Sequence, residues 1–325
     1  MKHHCEMSIG LYLIAFCLSC QIETGSSQSD TGCDDPVCKD RPDSGFSIDL
    51  NGGYVPLFKF GVFGDPRPAV INDDDGYPEG LVSELVNQIA SLDVQFIVGV
   101  GDWTYAGGSD ASFHQNTQLD ALLRAESAFQ GRVFHAMGNH ECKNTTAVNC
   151  PDENESPNIR LFKDRLLPGR EHTWYSVYIR TSIGVAKIIF TSTNAWTDNG
   201  QGAWLENEIQ KPSDYTFVVQ HTPPSGTGLD APGTKKALSI VSEGGPVTMY
   251  LFGHSHMFRH LENNAFILGN GGGPLDTDYC GSGCFFGFGV VEQYADGIVS
   301  ISIYERGVSL PKKVYSFFPD GTKAY

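Results

Sequence analysis

Apolar runs of strand length alternate with amphipathic helical patterns from Leu57 onward. The first run, Leu57 to Phe63, predicts a strand that ends at Gly64-Asp65. Between Gly80 and Leu92, the residues Leu81, Leu85, Ile89 and Leu92 recur at helical spacing on one side, which predicts an amphipathic helix. A second strand, Val94 to Val100, runs into Gly101-Asp102, and a second helix is expected over about Gln115 to Phe129. Arg132 to Met137 then leads into Gly138-Asn139-His140-Glu141. The theme repeats with a strand over Val185 to Ser192 and a short helix over Gln201 to Gln210 that buries Trp204, Leu205 and Ile209. Two more strands follow: Tyr215 to Val219 ahead of His221, and Val247 to Phe252 ahead of Gly253-His254-x-His256. From Ala265 the pattern is mostly β with many glycines, and a hairpin around Asp296-Gly297 is expected to join Gly287–Tyr294 to Ile298–Tyr304. Strand, loop, helix, strand is the grammar of an α/β protein with much parallel sheet. In such folds ligands gather beyond the carboxyl ends of strands, where all five motifs fall.

Those motifs supply carboxylates (Asp65, Asp102), a phenol (Tyr105), an amide oxygen (Asn139) and imidazoles (His221, His254, His256). Each alone is weak: Gly-Asp is commonly a turn, Asn139 could occupy a left-handed turn, and Tyr105 could be a buried hydrogen-bonding phenol. His254 and His256 could lie in an extended segment, but Gly253 favours a loop. Jointly the seven side chains form a donor set for two adjacent metal ions. His114, His135, His172 and His260 are read as structural or exposed.

The ordered set resembles the calcineurin-like metallophosphoesterases, and within them the purple acid phosphatase branch. Most of that superfamily opens with Asp-x-His, where this chain has Asp65-Pro66-Arg67. The missing histidine is matched by Tyr105, three residues after Asp102, which marks the purple branch. The resemblance runs from about Phe58 to Gly273 and includes Gln201-x-x-Trp204-Leu205-Glu206. It implies a β-sandwich flanked by helices in four layers (αββα), without the extra β-domain of large plant-type members. It also implies one metal on Asp65, bridging Asp102, Tyr105 and His256, and a second on Asp102, Asn139, His221 and His254. The first donor set suits Fe(III), and the second a divalent ion such as Zn, Fe or Mn.

The activity implied is hydrolysis of phosphate monoesters by in-line attack of a metal-bound hydroxide. His140 would contact substrate and help protonate the leaving group. Glu141 would orient His140 or its loop. Arg67 could grip a phosphate oxygen through its planar fork, or pair with Asp73 to Asp75. Thr222-Pro223-Pro224 and Gly269 to Pro274 are expected to wall the pocket. Two other readings stay open: a phosphodiesterase acting on nucleotide or phospholipid-type diesters, and an envelope binding protein that keeps the metals without turnover.

Composition narrows the partners and the compartment. A formal charge of -16 argues against a nucleic-acid surface but says little about small phosphorylated substrates, because cations can reverse the local field. Residues 1–20 read as an export signal with a short apolar core, Ile9 to Leu18. Ser19-Cys20 could close a lipoprotein-type signal with a lipid anchor on Cys20, although Cys17 stands where a lipobox carries Leu and Glu6 is unusual in such a signal. Plain secretion and a retained segment are the alternatives. Residues 21–55 read as a Ser/Asp/Gly-rich tether and 56–325 as a single catalytic domain. Outside the signal, six cysteines fall as near neighbours (Cys33 and Cys38, Cys142 and Cys150, Cys280 and Cys284), as suits small disulfide loops in an oxidising compartment. A metal site is the competing reading of these cysteines. Asn144-x-Thr146 and Asn154-x-Ser156 match glycosylation sequons.

Overall fold

The apolar runs assemble into two sheets whose central parallel strands are buried on both faces. The computed structural model describes residues 46–47, 56–142, 150, 157–196, 200–224 and 231–325. The signal, Cys20, the pair Cys33 and Cys38, and both sequons lie outside the described residues, as does all of the tether but 46–47.

One sheet has six strands in the order β13-β12-β11-β2-β3-β4, built from β2 (Lys59–Phe63), β3 (Phe96–Gly99), β4 (Arg132–His135), β11 (Gly287–Gln293), β12 (Val299–Glu305) and β13 (Lys313–Phe317). Its β2, β3 and β4 are parallel, while β11 to β13 add antiparallel strands. The other sheet has seven strands in the order β1-β5-β6-β7-β8-β10-β9. These are β1 (Phe46–Ser47), β5 (Tyr175–Thr181), β6 (Gly184–Thr191), β7 (Tyr215–Gln220), β8 (Met249–Phe252), β9 (Phe258–His260) and β10 (Ala265–Leu268). Here β6, β7, β8 and β10 run parallel.

Period-2 alternation sends one set of side chains into a common core between the sheets. Phe58 and Phe60 from the first sheet meet Phe217 of the second edge to face, at 5.5 and 5.4 Å, and Phe134 meets Phe190 at 6.4 Å. The alternate residues face helices. Gly61 lies against Ile89 of α1 (Glu79–Ala90), which packs beside α2 (Ala111–Glu126), itself neighboured by α3 (Pro157–Leu166). Ile189 and Val218 face Leu205 and Ile209 of α4 (Gln201–Gln210) and Ala237 and Val241 of α5 (Pro232–Gly244). Helices therefore cover the outer side of each sheet, giving the expected four-layer α/β sandwich. Burial on both faces explains why the parallel strands read as unbroken apolar runs rather than alternating ones.

The β11–β12 hairpin and α4 form where expected. Trp204 is only half-buried, whereas Leu205 and Ile209 are buried. The remaining short helix, α6 (Thr277–Cys280), follows β10. Disulfides join Cys142 to Cys150 and Cys280 to Cys284. The first pair is fully buried beside the turn carrying His140, and the second lies in a half-exposed loop. Among the described residues, no helix is long and apolar enough to cross a membrane.

Candidate metal centre

Parallel strands of both sheets release their chains at one rim. Asp65 follows β2, Asp102 follows β3, and Asn139 and His140 follow β4; His221 follows β7, and His254 and His256 follow β8. Asp65 (φ 60°), Asp102 (φ 59°) and His254 (φ 71°) all adopt left-handed backbone, which is costly for residues with a Cβ. Glycine would relieve that strain but would supply no donor; such strain clusters at functional sites. Glycine is instead spent where space is short: a Cβ on Gly253 would lie 2.5 Å from Asp65 Oδ2.

The side chains converge in two groups that share one carboxylate. Ligand atoms of Asp102, His221 and His254 lie within 4.8 Å of one another, as do those of Asp65, Asp102 and His256. Asn139 Oδ1 joins the first group, at 3.1 Å from His221 Nε2 and 2.9 Å from His254 Nδ1. His254 and His256 thus serve different groups, as a loop allows and a strand would not.

Backbone carbonyls set the imidazole orientations. His221 Nδ1 donates to Val100 O at 2.9 Å, leaving Nε2 to face Asp102 Oδ1 at 3.2 Å. His256 Nδ1 donates to Pro274 O at 2.7 Å, turning Nε2 toward Asp65 Oδ1 at 3.8 Å. A carbonyl on one ring nitrogen is the arrangement that fixes a ligating tautomer.

Electrostatics mark the centre as a place short of positive charge. Burial, followed by the neighbouring Asp102 on the raising side, pushes the Asp65 carboxyl well above its usual range, and its Oδ2 is buried with no partner. Burial also acts to raise Asp102, but His221 and then His140 hold it well below the carboxylate range. Burial acts to lower His221, but the charge and hydrogen bond of Asp102, with Asp65 and the Val100 carbonyl, together push it up to about 9. His254 is drawn down to about 4, by burial and then by the charge on His221. Two buried carboxylates, one oxygen unpartnered, beside three imidazoles fit bound cations by donor chemistry and by charge.

Tyr105 and Arg67 flank this cluster. The Tyr105 ring meets His140 edge-on at 4.5 Å, and the Arg67 guanidinium lies over the same ring at 4.7 Å. Arg67 Nη1 donates to Pro68 O, while its buried Nε has no partner. The alternative pairing with Asp73 to Asp75 is not what forms. Asp73 accepts from Gly76 N, and Asp74 faces His114 at 3.0 Å and accepts from Gln118. His140 donates its backbone N–H to Asp102 Oδ1, and its Nε2 is 3.6 Å from Asp102 Oδ2. Burial lowers its imidazole to about 3.

Several supporting residues lie outside the donor set. Glu141 does not touch the His140 ring; its carboxylate accepts N–H groups from Asp102, Trp103, Thr104 and Gly138, tying two ligand loops together. Buried Gln118 accepts from Tyr105 N at 2.6 Å and donates to Tyr105 O at 3.4 Å, and Asn72 N donates to the same carbonyl at 2.8 Å. The Gly269–Pro274 segment binds the first loop through Gly271 N to Gly64 O and Gly273 N to Asp65 O. Thr222 Oγ1 donates to Asn194 Oδ1. The other histidines have structural partners: His135 pairs with Glu126, His172 stacks on Trp174, and His260 stacks on Phe266.

Fold and site together describe an α/β sandwich whose strand ends gather donors suited to a pair of cations. Residues 58–258 match the family model for calcineurin-like phosphoesterases, and the chain belongs to that family. The family implies two metal ions, and the converging carboxylates and imidazoles are candidate residues for binding them. No curated protein sequence matches the chain. Among solved structures it is similar to a purple acid phosphatase from yellow lupin (Lupinus luteus) seeds, with 14% identity, TM-score 0.60, and coverage of 81% of this chain and 54% of that one. It thus spans about half of the lupin chain's length. It is also similar to a dimetal phosphatase from Danio rerio, with 15% identity, TM-score 0.53, and coverage of 82% of this chain and 100% of that one.

Proposed function

We propose that this chain is an exported binuclear-metal phosphoesterase that hydrolyses phosphate monoesters in the manner of a purple acid phosphatase. The observation that supports this most is the pair of donor groups sharing Asp102. Residues 56–325 form the catalytic domain in this reading. Asp65, Asp102, Tyr105 and His256 hold one ion, and Asp102, Asn139, His221 and His254 hold the other. Carboxylate and phenolate favour Fe(III) in the first position, and the imidazole pair favours a divalent Zn, Fe or Mn in the second. Bound cations would supply Lewis acidity toward a water and toward the phosphoryl oxygens.

The protein's own groups then position and protonate. Arg67, fixed over Tyr105 with Nε unpartnered, directs its fork at a phosphate oxygen. His140, with Nδ1 buried and unpartnered, stands beside the same space and is neutral before substrate arrives. A phosphate anion beside it favours the imidazolium, which can hand a proton to the leaving oxygen. Left-handed backbone at Asp65, Asp102 and His254 holds three donors before substrate binds, so little reorganisation accompanies reaction. The two disulfides support an oxidising compartment and hence export.

Hydrolysis of an aryl phosphate monoester beside its diester by the metal-loaded protein tests this reading. Monoester preference is expected; diester preference would select the phosphodiesterase alternative, and no turnover of either would select the binding protein. Oxidised, iron-loaded protein is expected to be purple, with Tyr105→Phe colourless. An active, colourless protein holding only Zn or Mn would reject the iron assignment.

A further inference from the structure

His256 leaves the end of β8 two residues after the left-handed turn at His254, so its own strand does little to hold it. Its restraint comes from the segment after β10. Pro274 O takes the ring Nδ1–H at 2.7 Å, and Asp276 Oδ2 takes the His256 backbone N–H at 2.9 Å. In return, Asp276 N donates to His256 O at 3.0 Å. Asp276 therefore grips the peptide on both sides of His256 Cα, as a paired strand residue would, although no strand is formed there.

Asp276 is itself braced. Its carbonyl accepts from Tyr279 N at 2.9 Å and Cys280 N at 3.3 Å, the first turn of α6. That turn leads into the loop closed by the Cys280–Cys284 disulfide. On its other side, the segment is bonded to the Asp65 loop through Gly273 N, at 2.7 Å from Asp65 O. The remaining imidazoles are held otherwise: His221 by Val100 O, and His254 by Asp65 Oδ1, which accepts its backbone N–H.

We propose that Asp276 is a positioning residue for one of the two cations: by clamping the His256 backbone it fixes Nε2 toward Asp65, selectively supporting the Asp65–Asp102–His256 group. The proposal rests on the two-metal reading. Outer partners of metal ligands commonly change affinity 10- to 100-fold when removed.

The test is calorimetric titration of Zn²⁺ into the chelator-stripped whole chain, with amide hydrogen exchange on the same metal-free samples. Two Zn²⁺ events are expected in the parent protein, one removed by His256→Ala and the other by His254→Ala. Asp276→Ala should weaken only the event that His256→Ala removes, by about tenfold or more. Asp276→Asn, which keeps an acceptor oxygen, should restore it. Adding Asp276→Ala to His256→Ala should change nothing further. Without metal, the His256 amide should exchange faster in Asp276→Ala and not in Asp276→Asn.

Unchanged affinity and exchange in Asp276→Ala would overturn the proposal. So would equal weakening of both events, or failure of folded Asp276→Asn to restore the selected one. Fewer than two events in the parent protein would instead sink the two-metal reading, whatever the exchange data show.

Discussion

The two sheets contribute different chemistry to one rim. In the proposed centre the six-stranded sheet delivers the oxygen donors: Asp65 from β2, Asp102 and Tyr105 from β3, and Asn139 from β4. The seven-stranded sheet delivers the nitrogens: His221 from β7, and His254 and His256 from β8. Neither sheet holds a complete donor set. The centre exists only because the inter-sheet core brings the two sets of strand ends within a few ångströms. Packing and chemistry are therefore coupled: a defect in the core should loosen cation binding, and a bound cation should brace the sandwich.

The strongest way to break the comparison is to remove the carboxylate common to both groups. Asp102→Ala should abolish paired metal binding and lower phosphoesterase turnover about 10³-fold or more, corresponding to the several kcal/mol that metal charge contributes to a transition state. Metal analysis alongside monoester hydrolysis checks it. Retention of two ions would mean that Asp102 does not join the sheets' contributions.

A core substitution attacks the same coupling from behind. Phe217 lies edge-on to Phe58 and Phe60 across the sheets. Phe217→Ala should cost about 3–5 kcal/mol of stability in denaturant titration. Zn²⁺ affinity should fall with it, although Phe217 touches no donor. Unchanged affinity in the destabilised variant would mean that each rim keeps its shape without its partner.

Arg67 sharpens the contrast between holding ions and holding substrate. Arg67→Lys keeps the charge and loses the fork, so KM for a monoester should rise about tenfold with metal content unchanged. Loss of metal instead would make Arg67 a support for Tyr105.

The smallest effect is a proton count. His221 is held up to about 9 in the metal-free protein against an ordinary 6.5. Its pairing with Asp102 stabilises the metal-free fold fully below 6.5, and that contribution is lost as pH rises through about 9. At pH near 7.5 a cation must therefore displace the proton, and calorimetry in buffers of different ionisation enthalpy should register about one proton from this group. The release should fade above about 9 and be missing in His221→Ala.

What could be read without coordinates follows the same division. Strands with both faces covered stand out as apolar runs, and the loops carrying Asp65, Asp102, Asn139, His221, His254 and His256 follow such runs, so the rim where these six meet was legible. β5 was missed: Ser176 and Tyr178 on it bond Glu208 of α4, and this polar alternation hides a buried strand. The α5 pattern is weak because its buried positions include only the small or medium Ala237 and Val241. The supports at the centre were least legible. Gln118, Asn72 and Asp276 act on backbone groups, a role that imposes no spacing and leaves no motif. Glu141 was half-legible: its link to the loops could be anticipated from its place after His140, but not its reach across to Asp102 and Trp103.

The most direct test of this shared construction is to crystallise the metal-loaded chain and locate its ions by anomalous scattering. The account predicts two peaks flanking Asp102, one toward Asp65 and His256 and the other toward Asn139, His221 and His254. A single peak, or ions bound by donors from one sheet alone, would contradict it.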